Sequence, residues 1–233
     1  MARVLLYGLV LTFSYGMLGC NEALEPDPSA LGYEYFPLTT SDYRIYDVTT
    51  KDYKIDGTID SASYQLKELI GTMSNTNGIE SFRVERYIRS SEEEEWAIDS
   101  VWSARINTHQ AIMVENNKPI IKLSFPIAED RSWDGNAMNS NAFDQYRMDN
   151  IGFQLALNDI VYEKSLRLVK EELIDPCKIT EDIIRVEMYA SGIGMVYKQD
   201  VYRNYLSQPC DTIGIIEFGH EQEYILSDYS VSE

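Results

Sequence analysis

Apolar and polar side chains alternate one by one over several stretches of this chain. Across residues 95–106, EWAIDSVWSARI, the residues Trp96, Ile98, Trp102, Ala104 and Ile106 share one parity while Asp99, Ser103 and Arg105 take the other. A two-residue period belongs to a strand with one face buried. Ile184, Val186 and Met188 alternate likewise with Arg185 and Glu187, and Phe82, Val84 and Ile88 fall together in SFRVERYIR. Turn signals stand between such runs at Asp56-Gly57, Asn77-Gly78 and Asn116-Asn117. Residues 158–173 satisfy two periods. Tyr162, Leu166, Val169 and Leu173 have helical spacing, whereas Ile160, Tyr162, Leu166 and Leu168 alternate. A long strand is expected there because the neighbouring segments are strands, with one helix as the alternative. The 17 tyrosines favour strands as well, since aromatic rings pack on a pleated surface.

The N-terminus has a different character. Arg3 precedes an uncharged, greasy run from Val4 to Leu18, then Gly19 and Cys20. A cation, a short apolar segment and small residues form a secretory signal, and the run is too short to span a bilayer as a helix. Met17-Leu18-Gly19-Cys20 resembles the lipobox of bacterial lipoproteins, with Met17 where leucine is usual and Leu18 where a smaller residue is usual. The resemblance implies removal of residues 1–19, thioether lipidation of Cys20 and acylation of its amine, with palmitate among the acyl groups. Several acyl chains on one residue hold a protein to a membrane far more firmly than one. Residues 20–32, acidic and Pro-containing, then read as a tether, and residues 33–233 as one β domain.

Charge narrows the functions available. The formal net charge is −18, with 20 Lys and Arg against 38 Asp and Glu. That balance excludes nucleic acid as a partner, because phosphate binding needs a basic patch. Of the 3 cysteines, Cys20 is assigned to the lipid, which leaves Cys177 and Cys210. Both follow proline, and an even pair in an oxidising compartment predicts a Cys177–Cys210 disulfide.

Two further stretches resemble exported lipoproteins of Gram-negative bacteria. Tyr189-Ala190-Ser191-Gly192-Ile193-Gly194-Met195-Val196 is similar to their hairpin of the form YAxGIGxV, and YFPLTTSDYRIYDV, from Tyr35, is similar to their opening segment. Ser41-Asp42 and Arg44-Ile45 depart from the glycine and tryptophan usual in that opening. The resemblance implies a mainly β fold: a single antiparallel curved sheet forming a half-barrel or small barrel, related in shape to lipoprotein-carrier proteins. It also implies lipid anchorage at the outer membrane, with the periplasmic and surface faces both open. Gly192 and Gly194 suit either a sheet-bending bulge or an ordinary hairpin turn.

Catalytic signatures are sparse. His220-Glu221 lacks the second histidine of a zinc protease, its place being taken by Tyr224. Asp130, Ser132, Asp134 and Asn136 fit the first half of a calcium loop, but the twelfth position is Asn141 instead of glutamate. A polar loop with Trp133 tucked onto the sheet accounts for them better, and no metal or cofactor is expected. Glu92 to Glu95 read as a solvated turn. No Gly-x-Ser-x-Gly, phosphate loop or Cys-x-x-Cys occurs, and His109 and His220 are the 2 histidines. Aromatic residues, among them Tyr43, Tyr46, Trp96, Trp102, Tyr189 and Tyr202, are the best binding material for a sugar or an acyl chain, although core packing also draws aromatics into strands.

The expectation is therefore a lipid-anchored envelope protein, a binding or accessory module for a lipid, glycan or protein partner and not an enzyme. The alternatives are a carboxylate-based hydrolase of envelope or glycan polymers and a structural subunit of a surface assembly.

Overall fold

The computed structural model describes residues 31–206, 209–210 and 214–231. Cys20, the cleavage site and most of the tether lie outside the described residues. Twelve strands run in chain order: β1 (Tyr43–Tyr53), β2 (Ile59–Thr76), β3 (Ile79–Arg89), β4 (Ala97–Ile106), β5 (Gln110–Glu115), β6 (Lys118–Ser124), β7 (Ser132–Asp134), β8 (Gln145–Leu157), β9 (Ile160–Ile174), β10 (Glu181–Ala190), β11 (Gly194–Tyr205) and β12 (Ile216–Ser230). They form one antiparallel sheet in the order β6-β5-β4-β3-β2-β1-β12-β11-β10-β9-β8-β7. Every chain neighbour except β6 and β7 is therefore a hairpin, and β12 pairs with β1.

The two ends of the order meet. Ile121 N donates to Gly135 O at 2.9 Å, and Trp133 Nε1 donates to Ile121 O at 2.9 Å. The sheet is thus nearly closed into a barrel, which removes the free edges that invite other strands. Residues 158–173, where helix and strand competed, are strand: Leu166 and Leu168 of β9 are wholly buried and pair with β8 and β10. Pairing on both sides outweighs the helix propensity of Glu, Lys, Leu and Arg. Among the described residues no helix is long and apolar enough to cross a membrane.

A plug closes one end of the barrel. Tyr33–Tyr35 form a single 3-10 turn, and Tyr35 and Phe36 are buried. Ile127 N donates to Leu31 O at 3.0 Å, and Gly192 N donates to Glu34 O at 2.8 Å. The Tyr33 ring meets Phe125 edge-on at 4.6 Å. Leu31 and Gly32, expected in the tether, already pack on the barrel. Gly32 has φ +85°, and a Cβ there would lie 2.2 Å from Ile127 Cγ1. Ile70, Val84, Leu123, Phe125, Leu166 and Tyr189 form one apolar cluster, and Tyr46, Leu66, Val196 and Leu226 belong to a second. Each fully buried large side chain of this kind contributes about 1.5–3 kcal/mol relative to exposure.

The two sequence stretches that carry the family resemblance touch each other. Tyr46, wholly buried, donates its hydroxyl to Met195 O at 3.0 Å, and Arg44 donates Nε to Ile193 O and Nη2 to Pro37 O. Gly192 and Gly194 have φ +79° and +97°, and the register shifts between Met188 and Tyr189. The hairpin turn and the bulge, posed as alternatives by the sequence, are both present.

Candidate functional site

Above the plug the barrel encloses a cavity of about 480 Å3. Its lining follows from strand parity, since successive side chains point to opposite faces. Val84 and Arg86 of β3, and Ile120 and Lys122 of β6, each send an apolar residue and a cation to the same side, while on β11 the register shift beside Met195 brings Met195 and Lys198 to it. The lining holds six cations, Arg44, Arg86, Lys122, Lys170, Arg185 and Lys198. It holds five carboxylates, Glu68, Glu115, Asp144, Glu187 and Asp200. The cavity balance is therefore 6 − 5 = +1, inside a chain of net charge −18.

Glu187 is the centre of this lining, with a side chain 1% exposed. Its Oε1 accepts from Lys170 Nζ at 2.5 Å and Lys122 Nζ at 3.2 Å, and its Oε2 accepts from the Tyr189 hydroxyl at 2.6 Å. Lys122 lies on β6 and Glu187 on β10, so this bridge crosses the barrel interior. Burial by itself would push the Glu187 carboxyl up, but Lys122, Lys170 and Lys198 outweigh it and hold it well below the usual carboxylate range. Lys122 is correspondingly held well above the usual lysine range, because Glu187 and Glu115 outweigh its burial.

The remaining charges pair around this centre. Asp144 accepts both Arg185 guanidinium nitrogens at 2.9 Å, a two-pronged bridge. Arg86 donates Nε to Glu68 at 3.2 Å while its guanidinium stacks 3.8 Å from the Trp102 ring. Lys198 differs from the rest. It stands opposite Glu187 in the β10–β11 register, and its Nζ lies 5.0 Å from the Tyr224 ring, with no hydrogen bond and no carboxylate within bonding distance among the described residues. Burial pushes the Lys198 ammonium below the ordinary lysine range; Glu187 and Asp200 oppose this, and Lys170 and Lys122 add to it.

The residues singled out by sequence are dispersed. Cys177 and Cys210 are joined, with Cα atoms 4.5 Å apart. The bridge lies beside a loop built on Asp175, whose carboxylate accepts from the backbone N–H of Ile179, Cys177 and Thr180 at 2.7–2.9 Å. Those bonds hold Asp175 far below the usual carboxylate range. The calcium candidates do not converge. Asp130 is exposed and pairs with Arg147 at 3.2 Å, Ser132 is an exposed strand residue, and Asp134 Oδ1 accepts from the backbone of Asn136 and Asp144. Asn136 donates its amide to Ala142 O at 2.7 Å. Among the described residues no group of acidic, histidine or cysteine side chains is placed to hold a metal ion. Glu92 to Glu95 lie in an exposed turn.

Of the aromatic candidates, Tyr46, Trp102 and Tyr189 line the cavity, while Tyr43 and Trp96 lie beneath Lys67 and Arg89 elsewhere. Ile98, assigned to the buried parity with Trp102, is 60% exposed. Tyr87 pairs with Ile98 and Arg86 with Ser100, so one extra residue on β4 at Asp99 flips the parity. β10 departs in another way: Glu187 and Arg185, read as its solvent face, point into the cavity.

No family model and no curated protein matches the chain. Among the solved structures that match in shape are two bacterial proteins. One is a Bacteroides fragilis protein provisionally named exported and YMCC-like in fold, with TM-score 0.38 and 10% identity over 84% of this chain and 98% of that one. The other is a Parabacteroides distasonis protein provisionally named a lipoprotein, with TM-score 0.38 and 8% identity over the same shares.

Proposed function

We propose that this chain is a lipid-anchored binding module of the bacterial envelope, held at the outer membrane through Cys20, whose ligand lodges in the barrel cavity, and that it is not an enzyme. The observation that carries the reading is the cavity itself: about 480 Å3, within the range of about 300–1,000 Å3 typical of pockets for one small ligand, and lined by fixed charges beside Trp102 and Tyr46. A polar ligand suits this lining better than an acyl chain, which would strip water from Lys198 and its neighbours without replacing it. The glycan branch of the expectation is thereby favoured over the lipid branch.

Hydrolysis is the poorer reading. Glycoside cleavage needs a protonated carboxyl beside an ionised one. Glu187 is held ionised by its lysines, Glu68, Glu115 and Asp144 are each bridged to a cation, and Asp200 faces His220 Nε2 at 3.5 Å. A structural subunit polymerising through sheet edges finds little support either, because β6 and β7 meet each other.

Native mass spectrometry of the full lipoprotein, purified from its own envelope in mild detergent, tests the binding role. A retained small molecule that leaves on partial denaturation supports it. A mass equal to the lipidated chain alone, with no small molecule from an envelope extract raising the melting temperature, overturns it.

A further inference from the structure

Resting on the binding reading above, we propose that the cavity ligand is a sugar residue carrying one carboxylate, a hexuronate, and that Lys198 is the residue that pairs with that carboxylate. The first step is a charge balance. Among the lining cations, Arg86, Lys122, Lys170 and Arg185 each face a carboxylate within 3.5 Å. Arg44 is held by the carbonyls of Ile193 and Pro37. Lys198 alone has neither, among the described residues.

Glu187, its neighbour across the β10–β11 pair, attracts Lys198 without a hydrogen bond to it. Both Glu187 oxygens are already taken, one by Lys122 and Lys170 and the other by the Tyr189 hydroxyl. Lys198 is therefore a half-buried cavity cation with an aromatic face below it and, among the described residues, no carboxylate within bonding distance; Glu187 and Asp200 attract it from farther away. A partly desolvated cation with no anion in bonding distance gains from an incoming one that can reach it. The excess is one charge, so a monoanion balances the cavity whereas a phosphate dianion would leave it negative.

The rest of the lining sets the ligand's body. Glu68, Glu115 and Asp144 keep carboxylate lone pairs beyond those their cations use, and Asn136 and Asn141 add amides. These are acceptors for hydroxyl groups. Trp102 and Tyr224 supply rings against which the C–H face of a sugar packs. A fatty carboxylate satisfies Lys198 but leaves those acceptors dry and unpaired.

The test uses the full chain in mild detergent, with D-glucuronate, D-glucose and octanoate as probes in isothermal titration calorimetry. Glucuronate is expected to bind at least tenfold more tightly than either other probe. Lys198→Gln should abolish that preference and bring glucuronate to the level of glucose, while Lys198→Arg retains most of it and Lys67→Gln, a surface change, retains all of it. Melting temperatures separate folding from binding: Lys198→Gln relieves a charge and should not melt lower. Equal binding of glucose and glucuronate, tighter binding of octanoate, or binding of glucuronate indifferent to Lys198→Gln overturns the proposal. So does binding of no probe at all. A retained neutral ligand in native mass spectrometry would then leave the binding role standing while this assignment fell. An empty chain would end both.

Discussion

Replacing Glu187 by glutamine removes the one negative charge at the centre of the barrel while preserving its shape. Three ammonium groups, on Lys122, Lys170 and Lys198, then face one another around a neutral amide. The side chains of Glu187, Lys122 and Lys170 are 1%, 13% and 10% exposed, so water screens them poorly. Breaking a buried ion pair by removing one partner costs about 3–5 kcal/mol. For a domain of this size each kcal/mol moves the melting temperature by about 2–4 °C, so Glu187→Gln should melt roughly 10 °C lower at pH 7. The pH dependence follows from the sign of the shift. Glu187 is held below its unfolded value, so its contribution is complete above about pH 4.3 and is lost as pH falls through the lowered folded value. The difference between the two proteins should therefore be flat from neutral pH to about 5 and narrow below that. Adding Lys198→Met to Glu187→Gln removes one of the crowded cations and should restore about 1–2 kcal/mol, a coupling within the range seen for contacting residues. Urea denaturation of oxidised protein across pH 3–8 measures all three. A single-variant loss below about 1 kcal/mol, with an unchanged acid limb and no recovery in the double variant, would refute the view that this carboxylate neutralises the barrel interior.

Cys177→Ser with Cys210→Ser opens a loop of 33 residues, and chain entropy sets the loss at about 3.7 kcal/mol; reduction of the parent protein should match it in the same denaturation assay. Gly194→Ala places a Cβ 2.9 Å from Arg44 Nε at φ +97°, so a loss of about 1–3 kcal/mol is expected, whereas Gly57→Ala, also at positive φ but with nothing within 4 Å, should lose less. Cys20→Ser should abolish incorporation of labelled palmitate and release the chain from the membrane fraction; unchanged labelling would remove the anchor from the proposed function.

Fold class was open to inspection in the chain because strand periodicity is local. The alternation around Trp102, the turn dipeptides and the Cys177–Cys210 pair each express a rule about residues near one another or counted in a small set. The same locality explains the errors. A single bulged residue at Asp99 reversed the facing of Ile98, and no pattern along one strand announces a bulge. The cavity escaped for a related reason. Lys170, Glu187 and Lys198 come from three successive strands and Lys122 from the distant β6, and alternation taught that charged positions face water. A trace did exist, in cations sharing parity with apolar neighbours at Val84 and Arg86 or Ile120 and Lys122. Only closure of the sheet turns those positions into one enclosed set, because charges become a site when they share a volume from which water is largely excluded, and volume is a property of the folded barrel.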